Sequence, residues 1–232
     1  MALVVFAIQM LPTAAWADRL AVGKVYDPYV QPLEKELDFH AQFLADDDES
    51  VDGNYLYKLG YGQSLNDRWF VEGYLIGEGE QGSGSDLEGY ELELKCQLTE
   101  QGEYSADWGL LLELEHEPDG KVWESSVTLL TQKDLQRVSL LSNLSLVYES
   151  GDTIEEEWET TFAGQARYRY QRYLEPGFEV FLSQGGRVAG PFLAGEIRLA
   201  GAQKVFWQVA FLVGMNAMAP DMDMKINMEY EF

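Results

Sequence analysis

Val205-Phe-Trp-Gln-Val-Ala-Phe-Leu-Val213 and Met224-Lys-Ile-Asn-Met-Glu-Tyr-Glu-Phe232 close the chain, and both read with a period of two. Successive side chains of a strand point to opposite faces, so Val205, Trp207, Val209, Phe211 and Val213 share one apolar face, and Met224, Ile226, Met228, Tyr230 and Phe232 share another. The reverse face of the last segment carries Lys225 and Glu229. A segment that is apolar on one side and ionised on the other is a strand at a boundary between two media.

The pattern recurs upstream. It is clear in Leu37-x-Phe39-x-Ala41-x-Phe43, Tyr55-x-Tyr57-x-Leu59-x-Tyr61, Tyr90-x-Leu92-x-Leu94-x-Cys96-x-Leu98 and Trp108-x-Leu110-x-Leu112-x-Leu114. It returns in Trp158-x-Thr160-x-Phe162-x-Gly164-x-Ala166-x-Tyr168, Phe178-x-Val180-x-Leu182 and Leu193-x-Gly195-x-Ile197-x-Leu199. Weaker segments near 68–78, 121–131 and 135–149 bring the count to about twelve strands of roughly 10 residues, the length a tilted strand needs to cross a bilayer. No long window has apolar residues at helical spacing, so the chain is all-β. Near residue 70 the face is undecided, because Trp69 with Val71 competes with Phe70 and Tyr74. A tight corner at Pro118-Asp119 would pair positions summing to 237, placing Leu114 opposite Trp123 and Glu113 opposite Glu124.

Composition narrows the partners. The 232 residues hold 16 Lys+Arg against 40 Asp+Glu, a net charge of -24, which excludes nucleic acid as a partner and favours neutral or cationic ones. With 46% apolar and 13% aromatic residues the chain folds. Its single cysteine, Cys96, excludes an internal disulfide and a cysteine-based zinc site, and no apolar run reaches the 18 residues of a helical span.

Residues 1–17 are uncharged and end in Ala15-Trp16-Ala17, a small-x-small pattern that reads as a secretory signal cut after Ala17. The organisation expected is a signal peptide over 1–17, a proline-bearing lead-in over 18–33 acting as a periplasmic tether or a lumen insert, and a barrel domain over 34–232.

Alternation does not say whether the apolar face meets a protein core or lipid. A soluble sandwich that binds a ligand would bury the leucines; a membrane barrel exposes them. Four features favour lipid. One is the export signal. The second is the terminal strand: Met224, Ile226, Met228, Tyr230 and Phe232 resemble the carboxy-terminal recognition strand of Gram-negative outer-membrane proteins, which the barrel-assembly machinery reads. The third is the placement of Trp69, Trp108, Trp123, Trp158 and Trp207 near predicted strand ends, where amphipathic rings settle at a membrane interface. The fourth is charge: alternate connections, counted from the first, hold 17 acidic residues and one basic, and the intervening ones five acidic and three basic. The first set is also read as longer, like cell-surface loops, which puts both termini on the periplasmic side. The whole mature chain thus resembles a small outer-membrane β-barrel of Gram-negative bacteria: a transmembrane, antiparallel, up-and-down barrel of about 12 strands. Outer-membrane lipid and lipopolysaccharide, with the assembly machinery during biogenesis, are the partners this implies.

On that reading Asp38, His40, Glu91, Glu93, Lys95, Glu113, Glu115, Arg137, Glu157, Glu159, Arg167, Arg169, Glu179, Glu196 and Arg198 face the lumen, with Lys225 and Glu229. Carboxylates predominate, so a wet lumen favours cations. Two outcomes stand side by side: a narrow, cation-preferring pore, or a lumen closed by Arg137, Arg167, Arg169 and Arg198 pairing with glutamates. The runs Asp46-Asp47-Asp48-Glu49 and Glu155-Glu156-Glu157 read as solvated loops, so neither a metal nor a cofactor is expected. A lipid-modifying barrel enzyme is the alternative, but the positions two residues after His40 and His116 are Gln42 and Pro118, so no Ser-His pair lies on one strand face. The expectation is a passive pore or transport-associated barrel for small neutral or cationic solutes, without catalytic residues.

Overall fold

A computed structural model describes residues 23–82, 84–118, 121–152, 154–199 and 201–232, so the proposed signal peptide lies outside the described residues. Twelve strands form in chain order: β1 (Lys35–Ala45), β2 (Asn54–Ser64), β3 (Trp69–Glu80), β4 (Ser85–Gln97), β5 (Asp107–Glu117), β6 (Val122–Leu135), β7 (Val138–Gly151), β8 (Glu157–Tyr168), β9 (Glu175–Leu182), β10 (Arg187–Arg198), β11 (Lys204–Gly214) and β12 (Met222–Glu231). Each pairs antiparallel with its neighbours in sequence. β12 returns to β1, with Glu36 opposite Glu231 and Ala45 opposite Met222, and Phe232 N donates to Lys35 O at 2.9 Å. The sheet is a closed up-and-down barrel with no free edge.

Exposure decides which medium each face meets. Leu92, Leu144 and Phe211 on the outer face are 50–54% exposed, whereas Glu179 and Asp223 inside are 0% and Lys225 is 2%. The charges are enclosed and the leucines outermost, the reverse of a soluble β-sandwich, so the soluble alternative is overturned. Uncovered, this outer face would far exceed the few hundred Å² of contiguous apolar surface that soluble monomers tolerate.

Trp69 and Trp108 lie outward at the end where β1 begins and β12 finishes, with Trp207 half-buried on the outer face a few residues farther along β11, and Trp123 and Trp158 at the opposite end. Trp108 pairs with Thr131, eight residues below Trp123 on β6. At about 3.3 Å per residue that is about 26 Å along the strand, or about 20 Å along the axis of a barrel tilted by about 40°. Met224, Ile226, Met228, Tyr230 and Phe232 share the outer face of β12 and its end, with Tyr230 stacked on Phe232 at 5.5 Å.

Three local readings are settled or corrected. In β3, Phe70, Glu72, Tyr74 and Ile76 face in and Trp69 and Leu75 face out. Gly60 on β2 stands opposite Tyr74, and a Cβ there would come within 2.5 Å of the Tyr74 ring, so this glycine makes the room for an aromatic residue inside. In the β5–β6 hairpin the pairs sum to 239, not 237: Leu114 faces Ser125, Glu113 faces Ser126, and the like-charged pair is Glu115 with Glu124. A four-residue connection, with Lys121 at φ 48°, replaces the two-residue corner. Finally, the two sets of loops are similar in length, because the strands extend into segments read as loops. The charge asymmetry persists: between strands, the far end carries ten acidic residues and one basic, the end with the termini three acidic and four basic.

Leu144 lies at mid-height on the lipid face of β7. Leu144→Arg should lower folding stability in lipid vesicles by about 2–4 kcal/mol, and the same change at Leu199, at a strand end, by about 1 kcal/mol or less, measured by urea titration. Equal costs at the two depths would mean that this face does not cross a bilayer.

Candidate functional site

The interior has two unlike walls. Across β9–β11 it is apolar: Phe181, Val188, Phe192, Ala194, Ala210 and Leu212 cluster with Leu141 of β7. Across β1–β5 it is ionised, with Glu36, Asp38, Glu72, Glu91 and Glu93 all buried. A carboxylate withdrawn from water needs a partner. Lys58 bridges Glu91 and Glu115, Lys225 holds Glu179 at 2.7 Å, and Lys204 holds Glu231 at 2.6 Å. Ser126 and Thr128 donate to Glu113, Gln42 donates to Asp223, and Lys95 lies over the Phe70 ring. His40 contacts Asp38 at 3.2 Å and Asn227 at 2.9 Å.

The lead-in supplies the remaining partners, and its described residues, from Gly23 on, lie inside the barrel at the end where β1 begins. Lys24 Nζ is 2.9 Å from Asp38 Oδ2 and 2.8 Å from Glu229 Oε2. Burial alone would pull the Lys24 pKa down; Asp38, Glu229, Glu36 and Glu72 reverse this and hold it well above the ordinary lysine value, so the group is a permanent cation. Val25 joins the apolar cluster on the opposite wall. Tyr26 is clamped through its backbone, its N–H donating to Asn143 Oδ1 at 2.8 Å and its carbonyl accepting from Asn143 Nδ2 at 2.9 Å, while its hydroxyl donates to Glu93. Pro28 lies against Gly109 of β5, where a Cβ would stand 2.9 Å from Pro28 Cα. Tyr29 Oη donates to Asp107 at 2.6 Å and Val30 N to Gln97 at 2.8 Å, which brings the chain across the mouth to β1.

The sequence-derived residues divide by height. Asp38, His40, Glu91, Glu93, Lys95, Glu113, Glu115 and Glu179 lie within the barrel. Arg167, Arg169 and Glu196 line a cavity of about 540 Å³ at the mouth near the termini. There Arg167 pairs with Glu175 at 3.4 Å, Arg169 with Asp134, and the exposed Arg198 with Glu196 at 2.9 Å. Glu157 and Glu159 stand at the opposite rim. Arg137 is a correction: it is exposed in the β6–β7 turn, which cuts that segment between two strands, and does not face the lumen. Arg167, Arg169 and Arg198 do pair with acids, but at the mouth; farther in, the carboxylates are met by lysines and by the lead-in. The sequence reading omitted Lys58, Glu36, Glu72, Asp223 and Glu231. Lys58 sits between Tyr57 and Leu59 at an alternating position and was legible; Glu72 was hidden by the ambiguous face of β3.

Among the described residues, three sets of carboxylates each converge within 4.8 Å: Glu34, Glu229 and Glu231; Glu36, Asp38 and Glu229; and Glu91, Glu93 and Glu113. Each is already served by a protein donor: Lys204, Lys24, and Lys58 with Tyr26 and Ser126. His116 stacks on Trp123 at 4.0 Å and bonds Val122 O, and His40 has Asp38, Asn227 and Tyr74 about it, so neither contacts a serine among the described residues.

No protein-family model matches the chain, and no curated protein does. Solved structures do. The KdgM porin in complex with disordered oligogalacturonate is similar over 85% of this chain and 99% of its own, with a TM-score of 0.59 and 10% identity. An outer membrane channel from Pseudomonas putida F1 is similar over 88% and 97%, with a TM-score of 0.59 and 12% identity. The fold is that of a Gram-negative outer-membrane β-barrel. The NanC porin has it too, over 84% and 98%, with a TM-score of 0.56 and 9% identity.

Gly109→Val should push Pro28 away from β5 and loosen the lead-in while leaving the strands paired. Trypsin should then cut after Lys24 at least about tenfold faster than in the parent, in protein that still shifts on a gel when heated. Unchanged cleavage would show that the contact does not hold the segment.

Proposed function

We propose that this chain is a passive outer-membrane channel for small neutral or cationic solutes, closed at rest by residues 24–30 of its own lead-in. The observation that carries this reading is the excess of carboxylates over cations inside a closed barrel: a wet path among Glu36, Asp38, Glu72, Glu91 and Glu93 has negative potential and attracts cations. The resting state is closed because Asp38, Glu72, Glu93, Glu179 and Lys225 are shut off from water, which side chains lining an open passage would not be. The lead-in is held by hydrogen bonds, ion pairs and the packing of Val25 and Pro28, and its residues 24–30 belong to no strand ladder, so it can leave without breaking a strand. The acidic loops, on this reading, face the cell exterior amid lipopolysaccharide and the termini face the periplasm, where the assembly machinery reads Phe232. The oligosaccharide named with the KdgM porin belongs to that protein; a wall of carboxylates repels such an anion.

Planar-bilayer recording tests the proposal. The parent should show rare, small openings with a cation-to-anion permeability ratio well above one. Lys24→Met, which removes the two ion pairs of the lead-in, should raise the open fraction by about tenfold or more. Silence of both proteins in every cation salt, or a preference for chloride, would end the channel reading.

A further inference from the structure

We infer that the pocket now filled by Lys24 is a binding site for a primary ammonium with a short apolar body, and that Lys24-Val25-Tyr26 occupies it as a tethered competitor. The inference deepens the channel reading by naming the class of solute.

Glu36, Asp38 and Glu229 bring carboxylate oxygens within 4.8 Å of one another. Among the described residues, the Lys24 ammonium pairs with Asp38 Oδ2 and Glu229 Oε2. Glu72, 3% exposed and within the electrostatic reach of Lys24, Asp38 and Glu229, keeps Oε1 without a hydrogen-bond partner. Burying such an acceptor unpaired is unfavourable, so this wall offers more acceptor capacity than one tethered lysine uses. Tyr74 donates its hydroxyl at 3.3 Å to Asp38 Oδ2, the oxygen that Lys24 also holds, and the ring beneath the Lys24 ammonium, at 5.5 Å, is that of Tyr26 on the lead-in. A small hydrated divalent ion gains nothing from the apolar wall opposite; an organic ammonium with an aliphatic body does.

What lies next to the charge defines the rest of the ligand. One residue beyond Lys24, Val25 rests among Phe181, Phe192 and Ala210 on the opposite wall. The lead-in thus presents an ammonium to the anionic wall and an aliphatic group to the apolar wall within two residues. A free amine of similar shape makes both contacts without ordering a segment of chain. While Lys24 holds the site for nine-tenths of the time or more, the apparent affinity of a free amine is lowered by about tenfold or more; when the amine wins, residues 24–30 lose their charged anchor.

The test is calorimetric titration of the full-length protein in detergent with hexylammonium, hexanol and Mg²⁺ as separate probes. Lys24→Met vacates the pocket directly. Gly109→Val vacates it from a distance and leaves every carboxylate and Lys24 in the chain, which covers the case of Lys24→Met failing to fold. Each variant should bind hexylammonium at least about tenfold more tightly than the parent, with no gain for hexanol or Mg²⁺, and Glu72→Gln added to either should cut the gain by about half or more. Equal affinity in parent and variants, a matching gain for hexanol, or a matching gain for Mg²⁺ would each overturn the inference. Because binding is read without current, a protein that conducts cations but shows no gain refutes the site alone. One that gains affinity but never conducts refutes the channel alone.

Discussion

Every backbone N–H and C=O within a bilayer must find its hydrogen bond inside the protein, and for strands this is possible only when the sheet has no edge. The pairing of β1 with β12 meets that demand here, from Glu36 opposite Glu231 to Ala45 opposite Met222. The rest of the molecule follows from closure. Once the first and last strands meet, one face of every strand is committed to lipid and the other to an enclosed space, and the ionised residues have nowhere else to be. The apolar band between the two tryptophan rows is the outer consequence; the buried glutamates are the inner one.

Closure creates a second problem, which the chain solves with its own lysines. Carboxylates on adjacent strands repel one another, and the run Glu91, Glu115, Glu124, Glu149 and Glu157, buried at its β4 end and exposed at its β8 end, places them directly opposite across β4 to β8. Lys58 relieves one end of this run, while Lys225 serves Glu179 and Lys24 serves Asp38 and Glu229. Two of these lysines are fixed on strands. Lys24 is on the lead-in, so the charge balance of one wall depends on a segment outside the sheet. The wall is built into the strands, whereas this counter-charge is not, and that asymmetry is the physical basis of the gating proposed above.

Much of this was legible in residue order. Strict alternation in segments such as Trp108 to Leu114 located the strands, because a face that must meet lipid admits few exceptions. The final Phe232 and the end-of-strand tryptophans told which side was outward. Legibility failed where both faces hold large apolar groups, as at Phe70 and Tyr74, whose inward placement depends on a glycine across the sheet. It failed again at the β5–β6 hairpin, where a four-residue connection shifted the register by two and kept every side chain on its face. The positions of arginines misled in the same way: Arg137 alternates correctly yet falls in a turn.

Period, composition and the terminal motif by themselves determined an all-β chain with about twelve membrane-length strands, an apolar exterior and an acidic interior. These are properties of each strand taken singly, and alternation writes them locally. Which carboxylate meets which cation, whether the arginines or the lysines neutralise the interior, and where residues 24–30 lie were decided only by tertiary structure. Those contacts join residues as far apart as Lys24 and Glu229, brought within hydrogen-bond distance by the closing of the barrel and by nothing in their sequence neighbourhoods.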